Sequence, residues 1–400
     1  MHQYFFILGR EPQLSVTEIW RWFSCQPVRV EHLALTKTYL IVNTETALDL
    51  TLLQEQLGGM VKSGEVFAVT DNAEDKIADV ILKKLVFNSG RLYFGFSWYG
   101  RAPAWFKGLG LKFKRQLKDK GRVRFVVSRE ATLSSVTVQK NHLLPPQGYE
   151  IVFLPDNNKV YLGQTITVQP FADFSERDYG RPGRDAKVGM LPPKLARLMI
   201  NLAGGDKINS LLDPFCGTGT VIQEAALSGV KKLVGSDINS QQIKHAATNW
   251  RWLKTKRGQV VTEASWLTSP VEELPKKLAN QKFDAIVCEP DLGPPLTGSE
   301  TESKITSLSE DLKLKYQAWL YVLSQLLLPD GVMVMIWPAF IKGGQIKTLA
   351  LDEALARAAL KFSNIIPNFV PADWLSKRGT LMYYRPGQKV AREIVVLEKK

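Results

Sequence analysis

Cysteine and histidine are scarce in this 400-residue chain. Cys25, Cys216 and Cys288 are too few and too scattered for a disulfide framework or a paired-cysteine zinc site, and His2, His32, His142 and His245 are equally dispersed. No metal-ligand set is on offer, and a reduced, cytoplasmic setting is the default expectation. Long apolar runs are also missing. The longest nearly apolar stretch, Ala318–Leu328, stops at Pro329, short of the roughly 20 residues that span a bilayer. Tyr4–Leu8 is followed by Arg10 and Glu11 with no basic leader before it, so it reads as a strand rather than a secretory signal. Internal repeats and low-complexity tracts are absent.

Positive charge is in excess, 52 − 39 = +13. It is unevenly spread: residues 1–100 hold 9 basic and 11 acidic residues (−2), whereas residues 101–124 hold 9 basic and one acidic (+8). A focus of that kind suits a polyanion, because clustered Lys and Arg neutralise phosphates and release counterions. The competing reading is a solvated helix face. With 45% hydrophobic and 23% charged residues the chain fits a globular protein of two or three domains.

Local patterns divide the chain. Strand-like Tyr4–Leu8, Val28–Leu35, Tyr39–Asn43 and Val66–Val69 alternate with helix-like Ser15–Phe23 and Leu48–Leu57, the order of a small α+β sandwich. Helix-like Ala73–Leu85, strand-like Leu92–Trp98, the basic stretch, Val123–Val127, Ala131–Asn141, Tyr149–Phe153 and Val160–Val168 make a second mixed unit. A polar connector, Arg177–Asp185, marks a boundary or a loop over a site. From Pro192 the pattern becomes doubly wound α/β: a helix carrying Leu195, Leu198, Met199 and Leu202 on one face, then strands at Leu211–Asp213, Leu233–Ser236, Val260–Val261, Ala285–Cys288 and Val332–Ile336.

The most specific local signal is LLDPFCGTGTVIQEAALSG, Leu211–Gly229. A strand ends at Asp213, Gly217 and Gly219 permit a tight turn, and a helix with Val221, Ile222, Ala225 and Ala226 follows, the device that brings backbone close to a nucleotide-like ligand. A P-loop would need a lysine after Gly219, and a dinucleotide fingerprint would need glycine where Ile222 stands. An acid before the glycines and a second, Asp237, after the next strand suit a ligand with a cationic amine and a ribose but no phosphate. S-adenosylmethionine is such a ligand, with Asp237 toward the ribose hydroxyls and Asp213 toward the methionine amine.

Five segments carry a family resemblance: Leu8–Trp20 (LGREPQLSVTEIW), Leu109–Val126 (LGLKFKRQLKDKGRVRFV), Arg177–Ala203 (RDYGRPGRDAKVGMLPPKLARLMINLA), Asp213–Thr220 (DPFCGTGT) and Leu381–Lys399 (LMYYRPGQKVAREIVVLEK). On these the sequence resembles the tRNA guanosine N2-methyltransferases that modify position 10, in which THUMP-type RNA-binding domains precede a Rossmann-like methyltransferase domain. The resemblance implies a ferredoxin-like α+β domain at 1–65, a THUMP domain at 66–170, a linker at 171–190, and at 191–400 a methyltransferase domain whose mostly parallel sheet ends in an antiparallel hairpin. It implies S-adenosylmethionine as cofactor, held by Asp213, Phe215, Gly217, Thr218, Gly219, Asp237, Ile238 and Ser265. Its RNA contacts would be Lys107, Lys112, Lys114, Arg115, Lys118, Arg122 and Arg124, together with Arg181 and Arg184, which would close over cofactor or RNA. Trp105 and Phe106 are expected in the core rather than on a base. tRNA is the implied partner, neither membrane nor metal is expected, and a small activator subunit is left open.

The same resemblance places the chemistry at Glu289-Pro290-Asp291-Leu292, where the family carries Asp/Asn-Pro-Pro-aromatic. A purine amine is a poor nucleophile. A side-chain oxygen and a backbone carbonyl accepting its two hydrogens aim its lone pair at the methyl group, and an aromatic ring stacks on the extruded base. Here Glu289 replaces Asp, Asp291 stands at the second proline and Leu292 at the aromatic, while Ser265 stands where the family offers an acid to adenine. Trp266, Trp337 and Trp374 are the candidate stackers. Three readings stay open: guanosine-N2 methylation in tRNA, methylation of another exocyclic amine such as adenine N6, and an RNA-binding protein that has lost turnover. Cys216 and Cys288 are expected as buried free thiols.

Overall fold

The computed structural model describes residues 1–87, 90–184, 190–258, 260 and 262–400. They form two compact units, Met1–Ser15 with Gln26–Asp173 and Val16–Cys25 with Phe174–Lys400.

Among the described residues the first unit is built on one eight-stranded sheet. Its strands are β1 (His2–Leu8), β2 (Val30–Leu35), β3 (Tyr39–Thr44), β4 (Met60–Asp71), β5 (Arg91–Trp98), β6 (Arg122–Val126), β7 (Gly148–Asp156) and β8 (Lys159–Val168). The order is β2-β3-β1-β4-β8-β7-β5-β6, antiparallel except that β5 runs parallel to both β6 and β7. The expected boundary at 65/66 needs correction, for it falls inside β4: Glu65 pairs with Tyr4 of β1, and Thr70 pairs with Val160 of β8. No proline stands there, and despite Ser63-Gly64 a single strand serves both halves. Phe5 closes the junction, since a Cβ on Gly64 or Gly163 would stand only 2.6 or 2.5 Å from its ring.

The basic stretch folds as the helix Phe106–Leu117, which buries Leu109, Phe113 and Leu117. Two glycines weaken it intrinsically, yet Gly110 is where the helix meets Phe125 of β6, within 2.4 Å of where a Cβ would stand. Phe106 packs on Trp98 and Phe153, each with ring centroids 5.3 Å apart, and Trp105 meets Trp98 edge-on. Phe106 thus belongs to the core, and half-buried Trp105 packs against it.

The second unit is doubly wound. Its strands are β9 (Ser210–Asp213), β10 (Lys232–Asp237), β11 (Glu263–Thr268), β12 (Phe283–Cys288), β13 (Leu327–Lys342), β14 (Gln345–Thr348), β15 (Leu360–Phe362), β16 (Leu381–Tyr383) and β17 (Val390–Lys399). The order is β11-β10-β9-β12-β13-β17-β15, parallel from β11 to β13 and antiparallel on both sides of β17, with β14 on β13 and β16 on β17. The helix expected from Pro192 spans Pro193–Ala203, with all but Lys194 buried. The third strand lies later than expected. Val260 is outside it, Val261 lies outside the described residues, and the strand is Glu263–Thr268, whose exposed Glu263 and Ser265 hide it from a search for apolar runs. The connector also begins inside a helix, Phe171–Tyr179, where Arg177 is buried against Glu224 (2.5 Å) beside Arg197 (2.8 Å); Asp185 lies outside the described residues.

Candidate active site

The C-terminal ends of β9, β10 and β12 converge on one cavity of about 530 Å³. After Asp213 the chain turns through Pro214–Gly219 into the helix Thr220–Leu227. Gly217 (φ +48°) and Gly219 (φ +86°) adopt the left-handed conformation that favours glycine. A Cβ on Gly219 would also stand 3.1 Å from Trp266 and 3.2 Å from Ala246. The turn is latched to β10, because Gly217 N donates to Asp237 Oδ2 (3.0 Å) and Asn239 N to its Oδ1 (2.8 Å).

Asp213 is fully inside and accepts one hydrogen bond, from Phe215 N at 3.1 Å. Burial pushes its carboxyl well above the usual range, and the negative charges of Asp237 and Glu289 push the same way. A cavity walled by these acids favours a cationic ligand.

On the opposite wall, the loop after β12 presents Glu289, Pro290, Asp291 and Leu292 to the same cavity. Glu289 Oε1 accepts from Arg392 Nε of β17 at 2.5 Å, with side chains 13% and 14% exposed. Among the described residues Arg392 is its sole side-chain partner, which leaves Oε2 for a donor in the cavity. Asp291 turns its carboxylate to Gly293 N (2.9 Å) and to Lys315 (3.0 Å), while its carbonyl accepts from the Tyr316 hydroxyl (3.1 Å), which also reaches Ile336 O at 3.2 Å. Burial raises Tyr316 well above the ordinary phenol range, so it stays a donor. The altered loop is therefore anchored through the very residue that replaces proline.

Asp213, Phe215, Gly217, Thr218 and Asp237 line the cavity, and Gly219 shapes the turn behind it. Two cofactor expectations are corrected. Ile238 is 73% exposed and outside the lining. Ser265, opposite Val234 in mid-strand, is exposed and also outside the lining. The three tryptophans are corrected too: Trp266 covers Gly235 and Gly219, Trp337 is wholly buried beside Phe362, and Trp374 sits in the turn Ala372–Trp374, none of them lining the cavity.

Arg181 is buried instead of free for RNA. It donates to Thr220 Oγ1 (2.6 Å) and approaches Met190 Sδ, and burial lowers its pKa. Arg184 is exposed over the Tyr179 ring. Asn239, Gln242, Val390 and Arg392 line the cavity without having been singled out; Asn239 and Gln242 follow Asp237 closely in sequence, but nothing local flags Arg392. Cys216 and Cys288 are buried free thiols, pushed up by burial.

In the first unit, described by itself, Lys107, Lys114, Arg115, Lys118, Arg122 and Arg124 are exposed. Arg124 donates to Asn141 (2.8 Å), and exposed Lys112 is paired with Glu74 at 3.0 Å. Among the described residues no His, Cys, Asp or Glu group suits a metal, and no helix is long and apolar enough to cross a membrane.

Residues 181–325 match the family described as RMKL-like, methyltransferase domain. That match lies within the second unit. The chain is 37% identical over 109 residues to the tRNA (guanine(10)-N2)-dimethyltransferase of Methanothermobacter thermautotrophicus, covering 26% of this chain and 28% of that enzyme. It is 30% identical over 198 residues to the enzyme of the same name from Pyrococcus abyssi, covering 46% and 56%. The matches thus span between about a quarter and somewhat over half of those relatives' length. Along its whole length the chain shares the fold of TrmN from Thermus thermophilus, with a TM-score of 0.57, 15% identity and full coverage of both chains. The Rossmann-like methyltransferase fold expected for 191–400 is the fold found.

Proposed function

We propose that this methyltransferase domain transfers a methyl group from S-adenosylmethionine to the exocyclic N2 amine of a guanosine in tRNA, at position 10. The observation that carries the reading is the meeting of the Gly217–Gly219 turn, Asp237 and the Glu289-Pro290 loop in one cavity, in a chain related to enzymes named for that reaction. S-adenosylmethionine fits the residues present: the acidic walls suit its two positive charges, and the turn leaves no Cβ in the way. Bound there, it supplies an electrophilic methyl group on a sulfonium. Asp237, fixed by two backbone N–H groups, is placed for the ribose hydroxyls, and Asp213 for the ammonium. Glu289 Oε2 and the Pro290 carbonyl are the acceptors for the two amine hydrogens. Arg392 holds the longer glutamate, and Tyr316 pins the loop through the Asp291 carbonyl.

In this reading residues 1–65 and 66–170 correspond to the ferredoxin-like and THUMP modules, sharing β4, and the exposed cations from Lys107 to Arg124 meet tRNA. The protein works in the cytoplasm. A specific observation favours a second reading, an RNA-binding protein without turnover: the ion pair already engages Glu289. The decisive experiment incubates the protein with labelled S-adenosylmethionine and tRNA transcripts, with and without guanosine at position 10, and maps the product nucleoside. Tight tRNA binding with no label incorporated would establish the second reading. Label surviving loss of that guanosine, or appearing on adenine N6, would overturn the site assignment.

A further inference from the structure

Leu292 gives the cavity no ring for a base to stack on, yet the hairpin that carries the cavity residue Arg392 also carries two tyrosines. β16 pairs with β17 so that Tyr383 lies opposite Arg392, the cavity residue that holds Glu289. Beyond Tyr383 the chain continues through Tyr384-Arg385-Pro386-Gly387-Gln388 and reverses. Gln388 N donates to Arg385 O (3.1 Å) with Gly387 at φ +86°, the residue pattern of a type II turn. The turn is braced by Arg385 N donating to Gln388 Oε1 (2.8 Å). The Arg385 guanidinium lies within electrostatic reach of Tyr383, Tyr179 and Asp178. Arg184 in turn sits 5.7 Å above the Tyr179 ring and donates to the Tyr179 carbonyl at 3.3 Å. Both rings face water, Tyr179 at 66% and Tyr384 at 40% exposure.

Exposed rings interleaved with guanidinium groups are what unpaired nucleotides bind, bases stacking on the rings while cations follow the phosphates. A rigid turn and a capped helix end present them with little left to order on binding. We propose that Tyr384 and Tyr179, with Arg385 and Arg184, form a platform for single-stranded RNA at the cavity mouth, supplying the stacking that Leu292 cannot. The platform rests on the reading of this cavity as a base-modifying site.

The test uses the full chain carrying Tyr179→Ala, Tyr384→Ala or both, with Tyr384→Phe as the conservative variant. tRNA affinity is read by filter binding, S-adenosylmethionine affinity by calorimetry, and methyl transfer with the labelled cofactor. Each alanine variant should weaken tRNA binding about 5- to 100-fold, while Tyr384→Phe stays near wild type and cofactor affinity is unchanged. Wild-type tRNA affinity in the double alanine variant overturns the platform, even if methyl transfer is observed. A parallel loss of cofactor binding also overturns it, since the tyrosines would then be structural. If the wild type binds tRNA through these tyrosines but transfers no methyl, the platform stands and the enzymatic reading falls.

Discussion

The Glu289–Arg392 pair gives the sharpest test of the site. The carboxylate and guanidinium meet at 2.5 Å with side chains only 13% and 14% exposed. Two unit charges about 4 Å apart attract by about 4 kcal/mol at an effective dielectric constant near 20. Much of that offsets the desolvation of both groups, whereas removing one partner strands the other charge and costs about 3–5 kcal/mol when burial is deep. At this intermediate depth Arg392→Met should lower the unfolding free energy by about 2–3 kcal/mol. Glu289→Gln should cost less, because its amide oxygen still accepts from Arg392, and the double variant should fall short of the sum by roughly 1–2 kcal/mol. Urea unfolding followed by tryptophan fluorescence measures all three. A coupling energy indistinguishable from zero would refute the pair as a held contact. Turnover separates the two functional readings. If Arg392 positions Glu289 while Oε2 stays available, Glu289→Gln lowers kcat by about 100-fold, cofactor affinity is little changed, and Arg392→Met lowers kcat too. If the pair suppresses activity, Arg392→Met raises kcat, and the positioning role is refuted.

Cofactor binding should tighten as pH rises through and above the ordinary carboxylate range, because burial raises the Asp213 carboxyl and a bound cation favours its ionised form. Calorimetry in buffers of different ionisation enthalpy should report proton release on binding, lost in Asp213→Asn; heats independent of the buffer would refute the assignment. Gly219→Ala forces a Cβ into the left-handed conformation beside Trp266, and should cost about 1–2 kcal/mol of stability and weaken cofactor binding. An unchanged urea midpoint would count against that account. Removing Lys114 and Lys118 together should reduce the salt-dependence slope of tRNA binding by roughly 1.4–1.8, whereas Lys112→Ala, already paired with Glu74, should change it less. Equal effects would show that the pairing does not decide which cations meet RNA.

What could be read in advance was what depends on neighbours in sequence. The turn at Gly217 and Gly219, the acid ending β9 and the acid after the next strand lie within 25 residues of one another, and each has a residue-level reason. The third strand was misplaced because β11 alternates exposed polar residues with half-buried ones, while the more apolar Val260-Val261 lies before it. Arg181 looked like a surface cation in a polar connector, yet Thr220, 39 residues away, takes it inside. The division at 65/66 followed the order of elements, but pairing on both sides of β4 joins the halves, and pairing is a property of distant residues.

The catalytic loop carries this distinction furthest. Read alone, Glu-Pro-Asp-Leu is an acid, a proline and two losses. Arg392 is 103 residues away from Glu289 in sequence, and with it the extra methylene acquires a purpose: the longer side chain spans to β17 and keeps one oxygen for the cavity. Asp291 likewise gains a role as an anchor, its carbonyl on Tyr316 and its carboxylate on Gly293 and Lys315. Only Leu292 remains without a compensation of this kind; in the proposed platform Tyr384, on the hairpin that delivers Arg392, and Tyr179, at the end of the helix Phe171–Tyr179, take its place. The antiparallel strand β17 therefore holds one departure of the loop through the ion pair, and its pairing with β16 sets Tyr383 opposite that same Arg392.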